Sequence, residues 1–492
     1  APWPGGAWRL ADIVHTQLQA SLAILEHAAQ NREHWLRTSL AVNRRAAARR
    51  EPYAFVVPQQ QRDPSALRRL VEVLRTGEVE IERARAPFAA NGTSHPAGTL
   101  VVRMQQPASG FAKALLERQR YPDLREYAGG PPKPPYDVTA HTLPLLLGVD
   151  ALAVASPFDA ALEPLGERPL EPGRIEGRGP RLALAHSSGE LVALGRLLAA
   201  GVEARWTLEP FAEGGRSFPA GTLLIKGSAR GRVEPLAAEL GFVARAVRSE
   251  PRSLRLRTPR VGLYRSWVSS MDEGWTRYVF EKEMAVPYQT LLDTDVRAGG
   301  LGERFDAIVL PDQSVTGLRD GHVKGVMPDE YTGGLGAEGG RALKAFVEGG
   351  GTLVALDSAT AYAIEALGLK VKDALAGVTA KDFYCPGSIL GASVDTRRPL
   401  AHGLPETLPV WFEGSPAFEA EAGVLARYES SDPLLSGWLL GGERLRGKAS
   451  LVEAALGKGR VVLFGFRPQY RAQSRVSYGA LLNALYLSAA RP

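Results

Sequence analysis

Two stretches of this chain are nearly the same sequence, and no other feature constrains the fold of its first half so tightly. PFAANGTSHPAGTLVV runs from Pro87 and PFAEGGRSFPAGTLLI from Pro210, and they align without a gap. Pro87, Phe88, Gly92, Ser94, Pro96, Ala97, Gly98, Thr99 and Leu100 recur as Pro210, Phe211, Gly215, Ser217, Pro219, Ala220, Gly221, Thr222 and Leu223. Such self-similarity marks a duplicated structural unit. Each copy ends in a β-rich run, at 100–102 and at 223–225. The Pro-Ala-Gly before it is turn chemistry, since Pro fixes φ and Gly accepts positive φ. Asn91-Gly92 and Gly214-Gly215 mark a second reversal. Apolar runs at 53–57 and 182–185 precede helical patterns at 67–74 and 191–198, and further helical patterns follow around 111–116 and 233–240. Each unit therefore reads strand, helix, strand, turn, strand, helix. A paired binding module would look this way, and so would duplicated scaffold. The scaffold reading is preferred, because fold alone carries no function.

The flanking sequence gives the domain plan. Residues 8–50 show one long helical pattern, with Leu10, Val14, Leu18, Leu22 and Leu25 on one face and Trp35, Leu36 and Leu40 continuing it. It follows a Pro/Gly-rich entry over residues 1–6 and ends in Arg44, Arg45, Arg49 and Arg50, which suit a helix C-terminus. Such a helix needs a partner to bury its stripe. The first α/β unit and a proline-rich connector, AGGPPKPPYDV, occupy 51–147, and the second unit 148–258. Consecutive prolines favour an extended, rigid connector. From 259 to 492 strands alternate with helices, the pattern of an open, mostly parallel α/β sheet covered on both faces. Within it, Ser270-Met-Asp-Glu273 fits a capping box.

Composition closes off several classes. At 492 residues, 45% hydrophobic and 23% charged, the chain has ordinary globular composition and length for about two to four domains. No apolar run reaches the roughly 18 residues of a membrane helix. The net charge is +6, but the basic residues are interspersed with acids, without a nucleic-acid motif. The single cysteine, Cys385, excludes an internal disulfide and a Cys-rich zinc site, and leaves the compartment unfixed. The chain opens at Ala1 without Met or a charged-then-apolar leader, as expected of something processed or part of something longer. None of the eight histidines sits in HxxE or HExxH, so no zinc site is expected.

Candidate chemistry gathers at the ends of the later strands. In an open α/β sheet, ligands bind beyond the carboxyl ends of strands. Ser358, in Leu356-Asp357-Ser358-Ala359, stands at such a place but lacks a GxSxG elbow, and Asp357 reads as a helix N-cap. Cys385, in DFYCPGS, reads as a small buried residue in a turn, with nucleophilic catalysis the minor alternative. Arg467 and Arg471, in GFRPQYR, could grip a carboxylate or phosphate, or tie loops to acids such as Asp272 and Glu273; the second role is preferred. Asp272, Asp312, Asp357, Arg467 and Arg471 form the expected pocket.

Five strings also carry a family resemblance: PWPGGAWRLADIV near the start, PPYDVTAHTLP at Pro134, SMDEGWTRYVFE at Ser270, DFYCPGSIL at Asp382 and VVLFGFRPQYR at Val461. Nearly the whole chain resembles the C-terminal half of large bacterial zinc carboxypeptidase-like proteins of the carboxypeptidase A superfamily. Its last region also resembles the class I glutamine amidotransferase-like fold. The first resemblance implies zinc held by an HxxE pair and a later His, with a Glu as general base. Those positions would precede Ala1, and none matches a residue here. It also implies that the helix over 1–50 closes a peptidase domain, with a peptide as substrate and zinc only in that domain. Family members are often exported. A homo-oligomer is a further open partner class. The amidotransferase-like region lacks the GxCxG elbow, and neither Cys385 nor Ser358 matches it. The expectation is therefore an accessory region that positions substrate for, assembles with or stabilises a peptidase domain. The alternatives are a hydrolase using Cys385 or Ser358, and a small-ligand or peptide binding module.

Overall fold

The computed structural model describes residues 5–166 and 170–492, so the entry segment expected over 1–6 falls mostly outside the described residues. The one long helix expected from Trp8 is two, α1 (Leu10–Gln30) and α2 (Arg32–Ala47). Asn31 breaks it, at φ −108° and ψ 22°. Its side-chain amide donates to the His27 carbonyl at 3.0 Å, the local bonding by which asparagine competes with a helix ladder. No residue of either helix is buried. Leu10, Leu18, Leu22, Leu25 and Leu36 all stand exposed.

Both repeat copies fold as the sequence orders them. The first runs β1 (Ala54–Val57), α3 (Pro64–Thr76), β2 (Glu82–Ala84), β3 (Phe88–Ala90), β4 (Thr93–His95), β5 (Leu100–Arg103) and α4 (Ser109–Leu116). After α5 (Leu143–Leu147), β6 (Leu152–Val154), β7 (Leu162–Pro164) and β8 (Arg174–Glu176) comes the second copy. It runs β9 (Arg181–Leu184), α6 (Ser188–Ala199), β10 (Ala204–Thr207), β11 (Phe211–Glu213), β12 (Arg216–Phe218), β13 (Leu223–Lys226) and α7 (Arg230–Leu240). The expected single turn in each is a hairpin, β3–β4 or β11–β12. With β14 (Val243–Val247) and β15 (Ser253–Leu256) joining the second, the sheets order as β6-β1-β5-β2-β7 and β15-β10-β13-β9-β14-β8, so the last strand of each copy lies between its first two. The shared Pro-Ala-Gly-Thr makes the same turn twice. Gly98 and Gly221 take φ of 88° and 89°, and Thr99 and Thr222 each donate their hydroxyl to the Pro96 or Pro219 carbonyl at 2.7 Å.

The proline-rich connector does not run straight. Leu124 and Lys133 come back together, the Lys133 N–H donating to the Leu124 carbonyl at 2.8 Å. Glycines at 129 and 130 permit the reversal, with Gly129 at φ 70°.

After β14 (Val243–Val247) and β15 (Ser253–Leu256) the open sheet begins. Its elements are β16 (Val261–Tyr264), α8 (Met271–Tyr278), β17 (Tyr288–Leu291), α9 (Asp293–Arg297), α10 (Leu301–Arg304), β18 (Ala307–Leu310), α11 (Val315–Arg319) and α12 (Gly336–Glu348). Then follow β19 (Thr352–Leu356), α13 (Ala359–Leu367), β20 (Val371–Asp373), β21 (Pro386–Val394), β22 (Thr407–Glu413) and β23 (Phe418–Ala420). The last are β24 (Val424–Tyr428), β25 (Leu434–Ser436), β26 (Ala449–Leu456), β27 (Gly459–Phe464) and α14 (Tyr478–Ala489). The sheet order is β17-β16-β18-β19-β27-β26-β24-β21-β22. Pairing is parallel from β17 through β27 and antiparallel beyond, because the β26–β27 hairpin reverses direction. Strands β16, β18 and β19 are buried throughout, as parallel strands with both faces covered must be. Leu353 and Ala355 pack on the face that holds Leu343 and Tyr362, while Val354 and Leu356 pack on the face that holds Leu481 and Leu485.

The chain gathers into two compact units. One takes residues up to Val56 with Arg75–Lys113 and Ala153–Pro164; the other takes Val57–Leu74, Ala114–Leu152 and Leu165–Pro492. The second repeat and the open sheet thus fall in one unit, and Leu197 and Trp206 share a core with Phe464 and Leu485.

Candidate functional site

Parallel strands bring their carboxyl ends to one edge, so residues just past β18, β19 and β27 meet there. These are Asp312, Asp357 and Arg467. Arg467 is the hub. Its guanidinium reaches Asp312 and Asp357 at 3.0 Å each, Glu413 at 3.2 Å and Asp272 at 3.5 Å. Asp272 arrives on the first turn of α8, where one half of the expected capping box forms: the Ser270 hydroxyl accepts from the Glu273 N–H at 3.2 Å, while the Glu273 side chain pairs with Arg277. That hydroxyl also donates to the Asp312 carbonyl at 2.8 Å, joining the loop after β18 to the helix. Glu413 arrives at the end of β22, where the Trp411 indole donates to it at 3.2 Å. Trp411 stacks on Tyr470 at 3.7 Å between ring centroids, under the Arg467 loop.

One cation serves four carboxylates, so the acids cannot all ionise cheaply. Asp357 is fully buried, and burial, then the charge on Asp312, pushes its carboxyl up to about 8 against the pull of Arg467. Burial lifts Asp272 to about 6, Arg467 opposing and Asp312 and Glu413 adding. Burial works against the charged form of Arg467, yet Asp357, Asp272, Asp312 and Glu413 together hold its pKa above the ordinary arginine value. One oxygen of Asp272 and one of Asp357 are buried without a hydrogen-bond partner among the described residues. These are the natural places for the retained protons. The cluster stitches together segments from α8, β18, β19, β22 and β27 around a charge that water reaches poorly.

Asp357 does not cap α13. It sits in the left-handed region at φ 50°, a conformation that aspartate tolerates better than most residues. Ser358 takes the N-cap position without a side-chain bond, and its N–H donates to Asp312 at 3.0 Å. The Asp357 carboxyl instead accepts from Ser415 at 2.8 Å and from Arg467. The strand-to-helix turn, where an α/β hydrolase would hold its nucleophile, thus carries a buried acid.

Arg471 lies outside the cluster, in a two-pronged pair with Asp137 at 2.8 and 2.9 Å. Glu273 pairs with Arg277 rather than with either of the predicted arginines. Cys385 is buried, and burial pushes its thiol up to about 12, the opposite of an activated nucleophile. Glu413, Ser415 and Asp137 escaped the sequence reading. Glu413 is 54 residues from Arg467 in the chain, and no local pattern connects them. Among the described residues, no group of three or more His, Cys, Asp or Glu is placed to hold a metal ion, and no helix is long and apolar enough to cross a membrane. A pocket of about 210 Å³ adjoins the cluster, lined by Tyr264, Ser266, Trp267, Ser270, Glu273 and Gln313.

No protein-family model matches the chain, and no curated protein does. Similar solved structures include a β-galactosidase from Bacillus circulans sp. alkalophilus, 13% identical over 49% of this chain, with a TM-score of 0.31. The match spans 32% of that enzyme, about a third of its length. A ThuA-like protein from Bacteroides uniformis is 11% identical over 45% of this chain and 89% of its own, with a TM-score of 0.28. A GMP synthase component from Thermoplasma acidophilum is 10% identical over 46% of this chain and 94% of its own, with a TM-score of 0.29. These are low-identity likenesses to mixed α/β folds. The chain itself is α/β, two related small units and an open sheet.

Proposed function

We propose that this chain is an accessory, non-catalytic region that docks on a zinc carboxypeptidase-like domain and stabilises it or positions its peptide substrate. The observation that carries the reading is the Arg467 cluster. The edge of the sheet where a ligand or nucleophile would stand is filled by an arginine locked among Asp272, Asp312, Asp357 and Glu413. Among the described residues, no activating base bonds the remaining nucleophile candidates. Cys385 is buried with its thiol pushed up to about 12, and Ser358 is engaged through its N–H by Asp312. The unburied face of α1 supports docking, since Leu18, Leu22 and Leu25 are 53%, 52% and 67% exposed.

The test has two arms. The purified chain should not turn over amide, ester or peptide substrates above background. Turnover that disappears with Cys385→Ser or Ser358→Ala would refute the non-catalytic reading. Mixed with a zinc carboxypeptidase-like domain from the same source, the chain should sediment as a one-to-one complex that Leu18→Asp with Leu22→Asp abolishes. A complex indifferent to those substitutions would refute docking through α1.

A further inference from the structure

A cavity of about 1210 Å³ in the second compact unit opens beside the second repeat and has a charge pattern the Arg467 cluster does not share. Two helix N-termini meet next to it, at Asp63. One oxygen of Asp63 accepts from the Ser65 and Ala66 N–H groups at 2.9 and 3.2 Å, at the start of α3. The other accepts from the Ser188 N–H at 3.1 Å, at the start of α6. Arg475 supports this arrangement by donating to the Ser188 hydroxyl at 3.0 Å. Burial opposes the charge on Asp63, but Arg475, Ser188 and Ser65 outweigh it and hold the carboxyl below its usual range. Asp63 is therefore a satisfied anion.

Glu190, 3% exposed, lines the cavity one turn into α6 and accepts from the Ser187 hydroxyl. Burial and the neighbouring Asp63 push it up to about 7, so near neutral pH it is about half protonated. His186 stands four residues before Glu190, an HxxxE spacing that recurs at His402 and Glu406. Its ring nitrogens are already engaged, by the Gly221 carbonyl at 2.7 Å and Asn483 at 2.9 Å.

The cationic groups of the cavity are under-compensated. Arg62 lines it, donates to the Gly403 carbonyl at 2.5 Å, and has no ion pair among the described residues. Burial by the surrounding protein outweighs Asp63 and Glu190 and lowers its pKa. Arg216 and Arg245 line the cavity too, and both share the single carboxylate of Glu176 with Arg174. The wall also holds Arg397, paired with Asp395, and Glu406, so Arg62, Arg216, Arg245 and Arg397 outnumber the acids Glu190 and Glu406 that line the cavity. Leu184, Phe218, Phe242 and Leu404 supply apolar wall. The repeat sharpens the point. Where the copies share residues, both use them for the turn; where they differ, the cavity-lining Arg216 and Phe218 replace Thr93 and His95.

We infer that this cavity binds a small monoanionic carboxylate with an apolar body, the carboxylate drawn to Arg62 and Arg216 and the body seated against Phe218, Phe242 and Leu404. Glu190 and Glu406 on the cavity wall, with Asp63 acting on Arg62 from beside it, disfavour a dianion. A guanidinium fork matches a carboxylate, and a partly desolvated wall strengthens the pairing. The inference does not depend on the accessory reading above.

The test is calorimetric titration of the full chain near neutral pH with N-acetyl-L-phenylalanine, octanoate, N-acetyl-L-phenylalaninamide and inorganic phosphate. Both carboxylates should bind at one site per chain, with the amide and phosphate at least about tenfold weaker. Arg62→Ala and Arg216→Ala should each weaken carboxylate binding by about tenfold, and Glu190→Gln should retain it. Arg216 has a side chain 56% exposed, so its removal does not threaten folding. Failure of both carboxylates to bind, equal binding of acid and amide, phosphate as tight as the carboxylates, or wild-type affinity in both arginine variants would overturn the inference.

Discussion

Replacing Arg467 by methionine keeps most of the side-chain volume and removes only the cation. Its contacts with Asp312 and Asp357 at 3.0 Å, Glu413 at 3.2 Å and Asp272 at 3.5 Å are each worth about 5 kcal/mol of gross attraction at an effective dielectric of about 20. Desolvation consumes most of that, since the Arg467 side chain is 17% exposed and Asp357 fully buried. What remains is the penalty of leaving buried carboxylates unpaired, about 3–5 kcal/mol. The acids can escape part of it by taking protons, so the loss should be smaller at about pH 5 than at about pH 8. The assay is urea unfolding followed by tryptophan fluorescence, to which Trp411 beside the cluster should contribute. Asp357→Asn added to Arg467→Met should recover part of the loss at about pH 8, because it removes the most buried of the carboxyls that ionise there. A variant within about 1 kcal/mol of the parent at the higher pH, or one equally destabilised at both, would refute the reasoning.

Further outcomes follow from the same contacts. Asp357, Glu190 and Asp272 have folded-state values of about 8, 7 and 6, above ordinary carboxylates. The folded chain therefore holds more protons, and stability should fall as pH rises through those values; a higher urea midpoint at about pH 8 than at about pH 5 would contradict this. Asp306, held down to about 2 against burial by Arg257 and Arg260, acts only below that window. Cys385, 4% exposed with its thiol pushed up to about 12, should react with a disulfide reagent at least about a thousandfold more slowly in the folded chain than in urea; rapid labelling of folded protein would count against its burial. Gly221→Ala should cost about 1–3 kcal/mol, because its φ is 89° and a new Cβ would lie 2.6 Å from that of His402. Gly92→Ala, at φ 72° with open space around it, should cost less, and equal losses in urea midpoint would argue against the steric part of the account.

The candidate site was half legible. Asp272, Asp312, Asp357 and Arg467 could be named because each follows a strand or opens a helix whose boundaries the local pattern sets, and parallel strands align such positions. Glu413 and Ser415 could not. They come from the antiparallel extension, and only the order β27-β26-β24-β21-β22 brings the end of β22 to Arg467. Arg471 failed for a related reason. Four residues beyond Arg467, it takes φ of 43° and turns away to Asp137, 334 residues distant in the chain.

Local chemistry determined the rest of what the sequence determined. Pro-Ala-Gly-Thr makes one turn wherever it occurs, so the duplicated motif fixed two hairpin-bearing units, and alternating apolar runs fixed the buried strands of the open sheet. Tertiary structure alone decided charge. Whether an acid is an anion, a neutral donor or a cap depends on which groups the fold places within a few ångströms and how much water it excludes, and neither is encoded in the neighbours along the chain. Asp357 shows the difference: its sequence context is that of a helix cap, and its folded surroundings make it a buried acid shared with an arginine 110 residues away.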